Sequence, residues 1–293
     1  FYDRETGELL EVPLRTPMDF RSVQYHSISE NTHRELSARF KQLGKFEVNP
    51  YEVSQIADSK IDMIKLGSRQ SLELPESKLV PKRAKIAEVV DSVKSFVGRI
   101  SRGKEYVYLV VKPNTGTEGE GTDVFYVNTK EIDGNTGIIK HIVSLQKHDD
   151  VLLQMLRGNV FYAESPEKMK RAFDLRINVS WDGEEYRVSG FAQVAPDGKT
   201  LITSAGRGGS IEDYSETLNR LYVREGRKWV RVFVSDADRL GIVEAAIKGF
   251  KAMNQGHSLE NSVLLAGVDI RLEARKTADG YQIVPVFLEI NPR

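Results

Sequence analysis

Glu289 and Asn291 lie two residues apart in the closing segment Glu289-Ile290-Asn291-Pro292-Arg293, so an extended backbone puts a carboxylate and a carboxamide on one side of a strand. Val286, Leu288 and Ile290 supply the apolar contacts of that strand. Hard oxygen donors of this kind suit Mg²⁺ far better than zinc or copper. A third donor, Asp269, falls on a partner strand expected from about Leu264 to Ala274, with Ala278-Asp279-Gly280 as the turn signal. A three-residue loop centred on Asp279 sets Asp269 opposite Glu289. A two-residue Asp279-Gly280 turn sets it against Ile290 and breaks the cluster. A metal function therefore predicts the odd loop, with Gly280 at positive φ. The competing reading is a surface hairpin that ends in polar residues.

A second set of residues suits phosphate. Lys112-Pro113-Asn114-Thr115-Gly116-Thr117-Glu118-Gly119-Glu120-Gly121 joins two strand patterns. Its glycines let successive backbone N–H groups turn toward one anion, and Lys112 can add an ammonium to the same phosphates. It is neither a Walker loop nor a dinucleotide fingerprint, since both need a helix directly after the glycines. Taken alone, the segment also reads as a flexible hairpin loop of small residues.

The elements that must position these groups follow from periodicity. A possible hairpin near Glu5-Thr6-Gly7 precedes a strand over Ser22 to Ile28, and a helix runs from an Asn31/Thr32 cap to Gly44. Asn49-Pro50 breaks the chain. A short helix from about Asp58 carries Ile61 and Ile64 and stops at Gly67, and Lys78 to Val80 is extended. Residues Arg83 to Ile100 repeat apolar side chains at helical spacing. Strands follow at Tyr106 to Val111 and Asp123 to Val127, then a helical stretch from Asn135 to His148 and a strand from Val151 to Met155. Leu175 to Trp181 and Tyr186 to Ala195 form a hairpin at Asp182-Gly183. Ile211, Tyr214, Leu218 and Leu221 are spaced as one helix, and Leu240, Val243, Ile247 and Phe250 as a longer one. The class is α+β.

Composition narrows the function. The 293 residues suffice for two cores, and 42 basic residues balance 42 acidic ones, so overall charge points to neither nucleic acid nor a membrane surface. There is no bilayer-length apolar run and no signal-peptide pattern, although the chain opens on Phe1 and an upstream targeting segment stays open. The absence of cysteine removes disulfides, thiolate metal sites and cysteine nucleophiles, and fits the cytoplasm. His26, His33, His141, His148 and His257 have no metal-type spacing.

Lys112 with its glycine loop, then Val151-Leu152-Leu153-Gln154-Met155, then Asp269 and Glu289-x-Asn291, come in an order that resembles the ATP-grasp superfamily over roughly Asn49 to Arg293. The resemblance implies an α+β fold in which two subdomains hold ATP between them. Residues 1–75 would be a short, reduced or truncated α/β unit, 76–155 the small lobe and 156–293 the C-terminal lobe. It implies phosphate contacts from Lys60 (in Asp58-Ser59-Lys60, one residue longer than the family's acid–lysine pair), from Lys112 and from Gly116, Glu118, Gly119 and Gly121. Gln154, Met155 and Leu156 would lie along adenine, and Glu164 near the ribose. Asp269, Glu289 and Asn291 match the Mg²⁺ ligands, with Mn²⁺ as an alternative ion. Arg176 (in Asp174-Leu175-Arg176), Arg207 and Arg293 would neutralise the transferred phosphoryl group and the acceptor. Two departures stand out. Position 267 is glycine where some ligases place an arginine, leaving that work to Arg176. The region before Asn49 is also short for the family's N-terminal domain, so either that domain is reduced or the chain is a fragment. The implied activity is an ADP-forming ligase joining a carboxylate to an amine or thiol. A small-molecule kinase and a non-catalytic nucleotide-binding module are the other readings. Small carboxylates and amines are the expected partners, with no nucleic acid, no membrane and a homodimer left open.

Overall fold

The structure, a computed structural model, describes residues 22–24, 30–116, 119–131, 136–258 and 261–292. Two compact units emerge, residues 1–48 and 49–293. In the first, β1 (Ser22–Gln24) and β2 (Phe46–Val48) pair in parallel, connected through α1 (Glu30–Gln42). Gly44 at φ 62° follows that helix as expected of its stop. The hairpin expected near Glu5-Thr6-Gly7, and residues 25–28 of the expected first strand, lie outside the described residues.

The second unit opens with α2 (Tyr51–Asp58) and α3 (Lys60–Arg69). Its small sheet has the order β3-β6-β4-β5, from β3 (Ser77–Val80), β4 (Tyr106–Pro113), β5 (Asp123–Asn128) and β6 (Val151–Met155). Helices α4 (Ile86–Ser101) and α5 (Thr136–Leu145) pack against it. Val89, Val93, Phe96 and Val97 of α4 recur at three- and four-residue spacing and meet Val107, Leu109 and Val111 of β4 in one buried cluster. The other face of β4 is thereby left to Tyr106, Tyr108, Val110 and Lys112.

The large sheet has the order β10-β9-β8-β13-β14 and is antiparallel throughout, from β8 (Phe173–Trp181), β9 (Tyr186–Val194), β10 (Ser210–Asp213), β13 (Leu265–Thr277) and β14 (Gly280–Asn291). A smaller sheet joins β7 (Val160–Tyr162), β11 (Leu221–Glu225) and β12 (Lys228–Val232). Alternation does the sorting in β8: Phe173, Leu175, Ile177 and Val179 are buried in the core, which leaves Asp174, Arg176 and Asn178 for the opposite face. Helix α7 (Asp236–Asn254), capped by Ser235 and Asp238, covers the apolar side. Gly249 lets it approach β14, since a Cβ there would lie 2.5 Å from the Phe287 ring. Helix α2, not expected from sequence, and α3 both fall within the 1–75 span expected as the N-terminal unit, and they pack on α7 and β14, with Val53, Ala57 and Met63 in the large core.

Two other readings need correction. Ile211, Tyr214, Leu218 and Leu221 do not share a helix. They fall on β10, on the short α6 (Tyr214–Leu218) and on β11, with Ile211 exposed and Leu221 fully buried. Their spacing imitates a helical stripe because two strand ends flank a single turn of helix. The closing hairpin has a two-residue loop, Ala278-Asp279, because Thr277 pairs with Gly280, rather than the odd loop expected. Gly280 does take positive φ, at 133°. Asp269 nevertheless pairs with Glu289, because the register shifts between Asp269 and Ile270 and Leu288 is left as the extra residue of a β-bulge.

Candidate functional site

The oxygen cluster and the phosphate loop belong to different sheets and meet. Arg176, Asp269 and Glu289 stand in register across β8, β13 and β14, on the face opposite the core. Arg176 grips Asp269 with two bonds, Nε to Oδ1 and Nη2 to Oδ2, both 2.7 Å. Asn291 donates from Nδ2 to Asp269 Oδ2 at 3.0 Å. From β4 of the small sheet, Lys112 brings Nζ to 4.0 Å from Glu289 Oε2. Lys60, the first residue of α3, donates from Nζ to the Gly116 carbonyl at 2.7 Å. The residue inserted between Asp58 and Lys60 has a local cause: Asp58 ends α2 and Ser59 caps α3, accepting from Asp62 N–H.

These groups set one another's protonation. Burial pushes Asp269 up to about 6, against the Arg176 hydrogen bonds that pull it down and with the Glu289 charge adding to the rise. Burial also works against the Glu289 carboxylate, yet Lys112, Lys60, Arg176 and Asn291 outweigh it and hold Glu289 below its ordinary range. Burial pushes the Lys112 ammonium down, with Glu289 opposing and Lys60 assisting. The Asp269 hydrogen bonds hold Arg176 above its ordinary value.

Gly267 explains how Arg176 reaches its place. A Cβ at position 267 would lie 3.0 Å from Arg176 Cδ and 3.2 Å from Cγ. The arginine therefore lies over the glycine, and the space a side chain at 267 would need is filled from β8. Arg271, two residues beyond Asp269 on the same face, was not singled out from sequence. It binds Asp174 through Nε and Nη2, and its stem lies against Gly158, where a Cβ would come within 2.3 Å. Thr203 donates to the same Asp174 carboxylate and so ties the loop that carries Arg207 to β8. The only sequence signal for Arg271 was its period-two offset from Asp269.

Gly116, Gly119 and Gly121 all have positive φ, at 93°, 70° and 67°. Arg207, at the end of the 3₁₀ turn Ala205–Arg207, donates from Nη1 to the Gly119 carbonyl at 3.4 Å, so the glycine loop and the arginine loop lie together. On β6, Gln154 is buried with Nε2 donating to Ser77 Oγ. The N–H groups of Met155 and Leu156 donate to the Glu76 and Tyr108 carbonyls, so neither N–H faces a base. Glu164 accepts from Arg171. Glu118 and Arg293 lie outside the described residues.

A buried carboxylate, Asp269, and a half-buried one held ionised, Glu289, with a carboxamide beside them form a donor set that fits a hard divalent cation. Among the described residues, no group of three or more His, Asp or Glu side chains is close enough to hold a metal. Any such ion would therefore rest on Asp269 and Glu289 with the Asn291 amide oxygen. Among the described residues no helix is long and apolar enough to cross a membrane.

The sequence matches no family model and no curated protein. Solved structures do match. The chain is similar to the D-cycloserine synthetase DcsG at 17% identity and a TM-score of 0.52, over 93% of this chain and 75% of that one. It is similar to the D-alanine–D-alanine ligase of Coxiella burnetii at 15% and 0.53, over 94% and 59%. It is also similar to the D-alanyl-alanine synthetase A of Vibrio cholerae at 14% and 0.51, over 88% and 62%. The chain thus spans less than two thirds of the latter two proteins, and at these identities the likeness is one of fold.

Proposed function

Because this chain has the ATP-grasp fold, we propose that it is an ATP-dependent, ADP-forming ligase that activates a carboxylate as an acyl phosphate and passes it to an amine. The observation that carries this reading is the convergence of Lys112 from the small sheet and Arg176, Asp269 and Glu289 from the large one. Lys60, Lys112 and the backbone of the glycine loop hold the triphosphate. Asp269, Glu289 and Asn291 hold Mg²⁺, which supplies charge neutralisation on the phosphates when bound. Arg176 and Arg207 stabilise the charge that develops as the substrate carboxylate attacks the γ-phosphorus, and Arg293 is assigned to the acceptor. An amine then takes the acyl group and phosphate leaves. No side chain has to become a covalent intermediate, which suits a chain without cysteine.

The test is phosphate release from ATP and Mg²⁺ across amino acids and small carboxylic acids, with mass analysis of the products. A joined product with free phosphate supports the ligase, whereas phosphate retained on the acceptor assigns a kinase. Glu289→Ala is expected to abolish turnover while leaving the fold intact. Full activity in that variant would sink the assignment.

A further inference from the structure

Lys60 and Lys112 belong to different cores. Lys60 opens α3, whose Met63 is buried with the large sheet, and Lys112 is the last residue but one of β4 in the small one. Two buried ammonium groups that act on one another repel, so something must hold the first turn of α3 against the loop that follows β4. Asn114 lies at that seam and is itself buried. Its carbonyl accepts from Lys60 N–H at 3.0 Å and its Oδ1 accepts from Ile61 N–H at 3.0 Å. Its Nδ2 donates to Ser59 Oγ at 3.3 Å, and its own N–H donates to the Asp150 carbonyl at 2.8 Å. Every polar group of the residue is thus used, three of them on α3's cap and first turn. The next residue is fixed as well: Thr115 donates from N and Oγ1 to Asp149 Oδ2 at 2.6 and 2.7 Å.

We infer that Asn114 is a positioning residue that locks the first turn of α3 to the start of the glycine loop, so that Lys60 and Lys112 engage the phosphates as one preset pair. This rests on the nucleotide reading above. Asn114 touches no phosphate in this scheme and acts through Lys60. The backbone half of the tie survives any substitution at 114. The side-chain half, which satisfies Ile61 N–H and reaches Ser59, does not. Without it Lys60 is held less firmly, by its backbone tie and its bond to the Gly116 carbonyl alone, and part of the affinity it supplies is spent on ordering it.

A double-mutant cycle tests this, reading MgATP affinity by titration calorimetry on the full chain. Asn114→Ala is expected to weaken MgATP binding about tenfold, the equivalent of one charge-assisted hydrogen bond. Lys60→Ala is expected to weaken it at least as much, and the double variant should be no weaker than Lys60→Ala alone, because Asn114 has nothing left to position. Hydrogen exchange at the amides of residues 60–62 should quicken in Asn114→Ala. Multiplicative losses in the double variant, or unchanged binding by Asn114→Ala, overturn the inference while leaving the nucleotide site standing. Failure of the unsubstituted protein to bind MgATP overturns the site reading, and the inference falls with it. If Asn114→Ala does not fold, Ser59→Ala removes the Nδ2 partner and must show the same non-additivity with Lys60→Ala on a smaller scale.

Discussion

Asn49 closes the large core at the end where the carboxylates lie, and its removal is a sharp test of how that hairpin is held. Its Oδ1 accepts from Leu264 N–H at 2.9 Å and Leu265 N–H at 3.2 Å. Its Nδ2 donates to the carbonyls of Leu265, at 2.6 Å, and of Pro292. One carboxamide thus satisfies the start of β13 and the end of β14, directly beside Asn291. The backbone at Asn49 is left-handed, at φ 64°, a region asparagine tolerates better than most residues. Each lost bond costs about 1 kcal/mol net, so Asn49→Ala forfeits about 4 kcal/mol, and alanine adds about 1 kcal/mol of backbone strain. Asn49→Gly loses the same bonds without the strain and should be about 1 kcal/mol more stable than the alanine variant. Asn49→Asp keeps the two accepted bonds and turns a carboxylate oxygen toward two carbonyls, so it should fall near the alanine variant. Urea unfolding read by tryptophan fluorescence measures all three, since the backbone N–H of Trp181 donates to the Leu264 carbonyl and sets this tryptophan next to the clamped segment. A loss below about 1 kcal/mol in Asn49→Ala, or no ordering of glycine above alanine, would refute the clamp.

Gly267→Ala brings a Cβ to 3.0 Å from Arg176 Cδ, so the arginine stem must shift by a few tenths of an ångström, which loosens its two-bond grip on Asp269. The expected loss is about tenfold in kcat with little change in unfolding free energy, and an unaltered kcat would show that Arg176 is not needed where it lies. Asp269, raised from 3.8 to about 6, contributes stability that is complete below pH 3.8 and is lost as pH rises through 6. Between pH 5 and pH 7.5 the wild type should therefore lose about 1 kcal/mol relative to Asp269→Asn in urea melts, and parallel pH profiles would contradict this. Gly121→Ala sets a Cβ 2.8 Å from Leu145 Cδ2 and 3.0 Å from Pro113 Cγ at φ 67°. It should cost about 1–3 kcal/mol in thermal unfolding. A neutral result would mean that α5 and the loop do not pack as described.

Legibility in the sequence followed the range of the interaction. The donors of the oxygen cluster announced themselves by type and by period-two spacing, because a strand sorts its faces locally. The glycine loop was legible because positive φ is a property of single residues. Asn49, Asn114 and Gly158 carried no such signal, since each acts on partners tens or hundreds of positions away. The β11–β12 hairpin was hidden for another reason: Arg224, Glu225, Arg227 and Lys228 mask its alternation, and Gly226 alone marked the turn. The Asp269–Glu289 pairing was read correctly from a turn that was read wrongly, because the bulge at Leu288 lay outside any local rule.

That bulge gives the closing hairpin a phase correction. From Thr277–Gly280 to Ile270–Phe287 the two strands keep one register, which buries Ile283 and Phe287, and the bulge alone converts that register into the Asp269–Glu289 pairing. The outer half of the hairpin, around Thr277 to Gly280, is in this sense uncoupled from the carboxylate end. It is the natural place to graft a foreign loop, because residues inserted between Thr277 and Gly280 lengthen the turn and leave every pair from Thr277–Gly280 to Asp269–Glu289 as it is.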